Sequence, residues 1–194
     1  QKQNKLRIES SSESFQTWIN RSYVSNALRE QISKANFLLV PAEGYAEKTD
    51  MVYFPTGTAD LFQFIRESDQ NGLLPEVCID DRDYKELARH ADVLYIASAI
   101  VSLIIAPIAA DLIGEYIKRR LFPGREDDTE VNSRLTIYDD KSGRSVDFIY
   151  KGPAREYRST LLEAISQLNG QERGKVSRGV KASRKRLGKG KRQK

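Results

Sequence analysis

The sequence predicts an α+β fold: an α/β-like N-terminal half, a long central apolar helix, a C-terminal β-hairpin plus helix, and a disordered basic tail. Three observations predict it. Short apolar runs alternate with amphipathic helical segments up to residue 91, as strands and helices layered on one another do. Val93 to Ala110 (VLYIASAIVSLIIAPIAA) runs for 18 residues without a charge. From Leu135 to Tyr150, apolar side chains alternate on both sides of a turn-forming DDKSG segment. The implied units are residues 1–91 (N-terminal α/β portion), 92–121 (central apolar helix), 122–170 (hairpin and helix packed with it) and 171–194 (basic tail).

At 194 residues the chain can bury a core of its own, and 39% hydrophobic with 30% charged residues describes a globular body with polar segments attached. Cys78 is the sole cysteine, which excludes an intrachain disulfide and a cysteine metal cluster and fits a reducing compartment. The stretch QKQNKLRIESSSES carries no apolar core, so no secretory signal is expected. The expected location is the cytoplasm, with membrane association as the alternative. The formal charge of +5 divides unevenly: residues 171–194 hold eleven Lys and Arg against Glu172, a net of +10, leaving −5 on residues 1–170.

Leu6 and Ile8 offer a short strand. Ser14 then caps a helix whose apolar positions are Phe15, Trp18, Ile19, Tyr23, Ala27, Leu28 and Ile32, a face expected in the core. NFLLV (36–40) and MVYF (51–54), each ended by a proline, are expected as buried strands. A turn from Pro55 leads into a helix to Glu67, with Thr58 as candidate cap. EVCI (76–79) is a third strand, and Asp80 and Asp81 open a short helix carrying Tyr84, Leu87 and Ala88. Past the breaker-rich 122–132 segment, Leu135 and Ile137 pair through the turn with Val146, Phe148 and Tyr150. Gly152 and Pro153 stop that strand. A helix with Tyr157, Leu161, Ile165 and Leu168 follows, capped by Asn169 and Gly170.

The central run admits two burial partners. Its length is close to the roughly 20 residues of a bilayer-spanning helix, so a span at about 93–113 is one solution. Pro107, Asp111 and the helical spacing of Ile108, Leu112, Ile113, Tyr116, Ile117 and Leu121 favour a core helix instead. A variant makes Val93 to Ala97 a short buried strand feeding the helix, because periodicity does not separate the two in so apolar a stretch.

Several groups are candidates for chemistry. The tail cations Lys175, Arg178, Lys181, Arg184, Lys185, Arg186, Lys189, Lys191, Arg192 and Lys194 would neutralise phosphates and release counterions, giving salt-sensitive binding of nucleic acid or another polyanion. No aromatic residue lies among them, so phosphate contact would outweigh base stacking. Asp80, Asp81 and Asp83 follow an apolar run, where an α/β enzyme places carboxylates for magnesium, but acids at a helix start also serve as caps, and that use is expected here. The Pro55-Thr-Gly-Thr58 turn points backbone donors at whatever precedes the helix, yet it lacks both a Walker-type lysine and a three-glycine fingerprint. His90, beside Asp92, has no nucleophile signature near it. No catalytic residue, metal site or cofactor is expected.

The helix ASAIVSLIIAPIAADLIGEYIKRRL, the hairpin RLTIYDDKSGRSVDFIY, then GPA and a closing helix, together residues 92–168, resemble the effector-associated constant component modules of bacterial conflict systems. The resemblance implies a non-enzymatic adaptor that couples to a separate effector protein. The glycine-rich lead of that pattern is Ala97, Ser98 and Ala99 here, and the basic tail lies outside it. The function expected is an interaction or adaptor protein, with bacterial defence as its setting, that binds nucleic acid or a polyanion through its tail. The central helix and hairpin would form its core or an oligomer interface. The alternative is a single-pass membrane protein with a cytosolic basic tail.

Overall fold

The structure, a computed structural model, describes residues 5–43, 52–68, 72–88, 93–121 and 129–168. It is of the α+β class. The strands are β1 (Leu6–Ser11), β2 (Phe37–Val40), β3 (Phe54–Pro55), β4 (Pro75–Val77), β5 (Glu86–Leu87), β6 (Val93–Tyr95), β7 (Ser98–Ser102), β8 (Glu130–Asp139) and β9 (Arg144–Pro153). The helices are α1 (Phe15–Ile19), α2 (Asn26–Ile32), α3 (Thr58–Glu67), α4 (Ala106–Arg120) and α5 (154–168). One mixed sheet has the order β1-β9-β8-β7-β2-β4, and β6 pairs with the start of β8 ahead of β7. A separate two-stranded pair joins β3 to β5.

Two hydrophobic clusters lie on opposite faces of this sheet. Phe37, Leu39, Ala99 and Val101 point into the larger one with Leu61 and Ile65 of α3, most of α4, and Tyr157, Leu161 and Ile165 of α5. Leu38, Val40 and Ile100 point the other way, to Trp18, Leu28 and Ile32 of the first two helices. Strands β2 and β7 are thus covered on both sides and are apolar at consecutive positions, as central strands are. Beyond β7 the second face turns polar, with the buried Thr136, Ser145 and Asp147 on it, and apolar–polar alternation returns in β8 and β9.

This corrects the expected central helix. Val93–Tyr95 and Ser98–Ser102 are strands, the first within the Val93 to Ala97 stretch of the strand variant, and only Ala106 to Arg120 is helix. Pro107 sits in the first turn of α4, where the missing amide has no intrahelical partner to lose. Lys118, Arg119 and Arg120 end the helix on its negative pole. Among the described residues, no helix is long and apolar enough to cross a membrane.

Smaller differences have local causes. The helix expected over Phe15 to Ile32 is two. Ser14 caps the first in a reciprocal box with Thr17, and Ser25 caps the second by accepting from the amide of Leu28 at 3.2 Å. Thr58 is not a cap. Gly57 is, at φ 90°, and there a Cβ would stand 2.7 Å from the Arg120 guanidinium and 3.0 Å from the Tyr116 hydroxyl. The segment after Asp80 is a 3-10 turn at Asp81–Asp83, with Leu87 in β5 rather than on a helix. The hairpin pairs as expected, except that Gly152 and Pro153 do not stop the return strand but pair within it with Val131 and Glu130, since β8 already begins at Glu130. Gly143 donates to the Asp139 carbonyl at 2.8 Å, and the Asp139 carboxylate accepts from the Lys141 amide and the Ser142 hydroxyl, which hold it below the usual carboxylate range. Asn169 and Gly170, expected as the final cap, and the tail 171–194 lie outside the described residues.

Candidate functional site

A concavity of about 530 Å³ opens at the β4 edge of the sheet between α2 and α3. Leu28 and Gln31 line it from one side, Ala59 and Phe62 from the other, and Glu76, Asp80, Asp81 and Tyr84 from the end of β4 and the 3-10 turn. It lies along the end of β4 and the residues that follow it, Ile79 to Arg82. Its polar lining sets three carboxylates, Glu76, Asp80 and Asp81, beside the Arg82 guanidinium, Gln31 and Tyr84. Burial pushes the Glu76 carboxyl up, Asp81 adds to this, and Arg66 and the Val77 amide oppose it.

The acidic trio is dispersed in use. The Asp80 carboxylate accepts from the Ser25 hydroxyl at 3.0 Å and so buttresses the cap of α2; it makes no capping bond to its own turn. Asp83 is exposed and lies 3.5 Å from the Arg82 guanidinium. Among the described residues no three His, Cys, Asp or Glu side chains are placed to hold a metal ion. His90 and Asp92 lie outside the described residues.

The Pro55-Thr-Gly-Thr58 turn does present its donors to an anion, and the anion belongs to the chain. The Glu86 carboxylate accepts from the amides of Gly57 and Ala59, each at 2.9 Å, and from the Tyr84 hydroxyl at 2.6 Å. Burial raises the Glu86 carboxyl, but Tyr84 and the amides of Ala59 and Gly57 outweigh it and hold the group below the usual range. Residue spacing gave no sign of this partner, because Glu86 arrives from β5, across the β3–β5 pair. Opposite it, the Tyr116 hydroxyl donates to the Gly57 carbonyl at 2.7 Å and Arg120 binds Asp60 at 2.6 Å, tying the same turn to the end of α4.

Cys78 is fully buried, and burial pushes its thiol up to about 12, so it is a protonated core side chain. On the polar face of the sheet, the buried Asp147 accepts from Arg134 Nε at 3.1 Å and Nη2 at 2.5 Å, and from the Thr136 hydroxyl at 2.6 Å. All ten tail cations named from the sequence, Lys175 through Lys194, lie outside the described residues. No protein-family model, curated protein or solved structure matches this chain.

Proposed function

We propose that this chain is a non-enzymatic interaction protein of the cytoplasm that holds nucleic acid, or another polyanion, through its basic segment 171–194. The α+β body then serves as the platform that links the bound polymer to a separate effector protein. The observation that carries this is charge segregation: +10 on residues 171–194 against −5 on the rest. Ion pairing within the body supports it. Arg158 is held by Asp111 and Glu115, Arg120 by Asp60, Arg134 by Asp147, Lys5 by Glu156 and Arg21 by Glu43. These cations are already neutralised, whereas the segment has only Glu172 to set against eleven cations.

Such a segment gains affinity by releasing counterions, roughly 0.9 in the slope of log K against log salt for each phosphate neutralised on duplex DNA. Lacking aromatics, it ranks DNA and RNA sequences almost equally. Deleting residues 171–194 is expected to abolish low-salt retention on immobilised DNA or RNA and to leave the circular dichroism of the body unchanged. Retention that survives the deletion overturns the proposal. Equal retention on anionic vesicles would widen the partner from nucleic acid to polyanions in general.

A further inference from the structure

The two edges of the main sheet differ. At one, β4 has only three residues, begins with Pro75, which has no amide to offer, and has its Val77 carbonyl taken by the Ile79 amide at 2.9 Å. At the other, β1 is six residues long, contains no proline and pairs with β9 without a bulge. Among the described residues no strand lies beyond it. The phase of the ladder decides what this edge presents. Lys151 donates its amide to the Lys5 carbonyl at 2.9 Å, so Lys5, Arg7, Glu9 and Ser11 turn their backbone groups toward β9. Leu6, Ile8 and Ser10 therefore turn both amide and carbonyl outward, and Ile8, at the centre, is 51% exposed.

We propose that β1 pairs antiparallel with β1 of a second copy of this chain about a two-fold axis through Ile8, joining the two sheets into one. The strand is complementary to its own reverse. About Ile8, Leu6 faces Ser10 of the second copy and Arg7 faces its Glu9. The outward groups of Leu6, Ile8 and Ser10 meet their counterparts in hydrogen-bonded pairs. Arg7 and Glu9 then fall at the intervening non-hydrogen-bonded positions, where facing Cα atoms approach to about 4.5 Å and side chains are closest. Charge also favours a second copy. Glu9 stands directly opposite Asp147 of β9, a like-charge neighbour, and its own counter-ion is Arg7 at 3.2 Å. The second copy brings another Arg7 to the free side of Glu9. Because the β4 edge is blunted, this contact closes on itself as a dimer and does not extend into a fibre.

The paired strands are short compared with the interface of an obligate dimer, so the association is concentration-dependent and reversible. Analytical ultracentrifugation of the full chain is expected to show a monomer–dimer equilibrium. Arg7→Glu and Glu9→Arg should each weaken it about tenfold or more, since attractive cross-strand pairs become repulsive. The double exchange Arg7→Glu with Glu9→Arg should restore it, and a mixture of the two single variants should form a heterodimer in preference to either homodimer. Ile8→Pro removes an outward amide while sparing the bonds to β9, and should leave a monomer with unchanged circular dichroism. A wild-type chain monomeric at every concentration overturns the proposal. So does a dimer indifferent to Arg7→Glu and Ile8→Pro, or one that the charge exchange fails to restore.

Discussion

The carboxylate of Glu86 accepts the amide of Gly57 at 2.9 Å, so the N-terminus of α3 is closed by an acid brought from another strand. Favourable contact between a carboxylate and a helix start is worth most when the carboxylate is ionised. The folded-state pKa of Glu86 is depressed, so this contribution is complete above the pKa of the unfolded chain and is lost as pH falls through the folded value. The acid limb of a stability–pH profile should therefore be shallower in Glu86→Gln than in wild type, with the two curves converging at low pH. Parallel curves across the acid range would contradict this assignment.

Glu76 carries the opposite sign. Burial raises its carboxyl, so the folded state binds that proton more tightly than the unfolded chain does and gains stability as pH falls through the raised value. Glu76→Gln should raise Tm at neutral pH and remove this acid-side gain. A lower Tm at neutral pH would mean that the carboxylate is needed in its charged form.

Arg134 and Asp147 predict an asymmetric pair of substitutions. The Asp147 side chain is 4% exposed and that of Arg134 42%, so only the guanidinium can recover hydration when its partner is lost. Arg134→Met strands a buried carboxylate and should cost about 3 kcal/mol. Asp147→Asn keeps an acceptor for Thr136 and should cost about 1–2 kcal/mol. Urea titration of both variants measures the difference, and equal losses would argue against it.

Gly114 marks where α4 and α5 meet. A Cβ there would stand 2.9 Å from the Arg158 Cβ, close to the neighbouring backbone and not at the mobile end of a side chain. Helix propensity favours Gly114→Ala by about 1 kcal/mol, but overpacking at the crossing costs about 1–3 kcal/mol. The expected result is a net loss in thermal unfolding, which trimming Arg158 beyond its Cβ should not relieve.

Local chemistry was legible in the sequence. The Asp139–Gly143 turn, the alternation on either side of it, the Ser14 cap and the period of the last helix each depend on neighbours within a few residues. The segregation of charge is likewise a property of the chain alone. The use of the central run was not. Strand β7 is hidden because a strand covered on both faces has no polar side to reveal its period of two, and only α1 and α2 on one face with α3 and α4 on the other make it so. Tertiary structure also decided which acid closes α3, which positions of β1 face outward, and where Asp80, Asp81 and Glu76 converge, because each depends on residues brought together from distant parts of the chain.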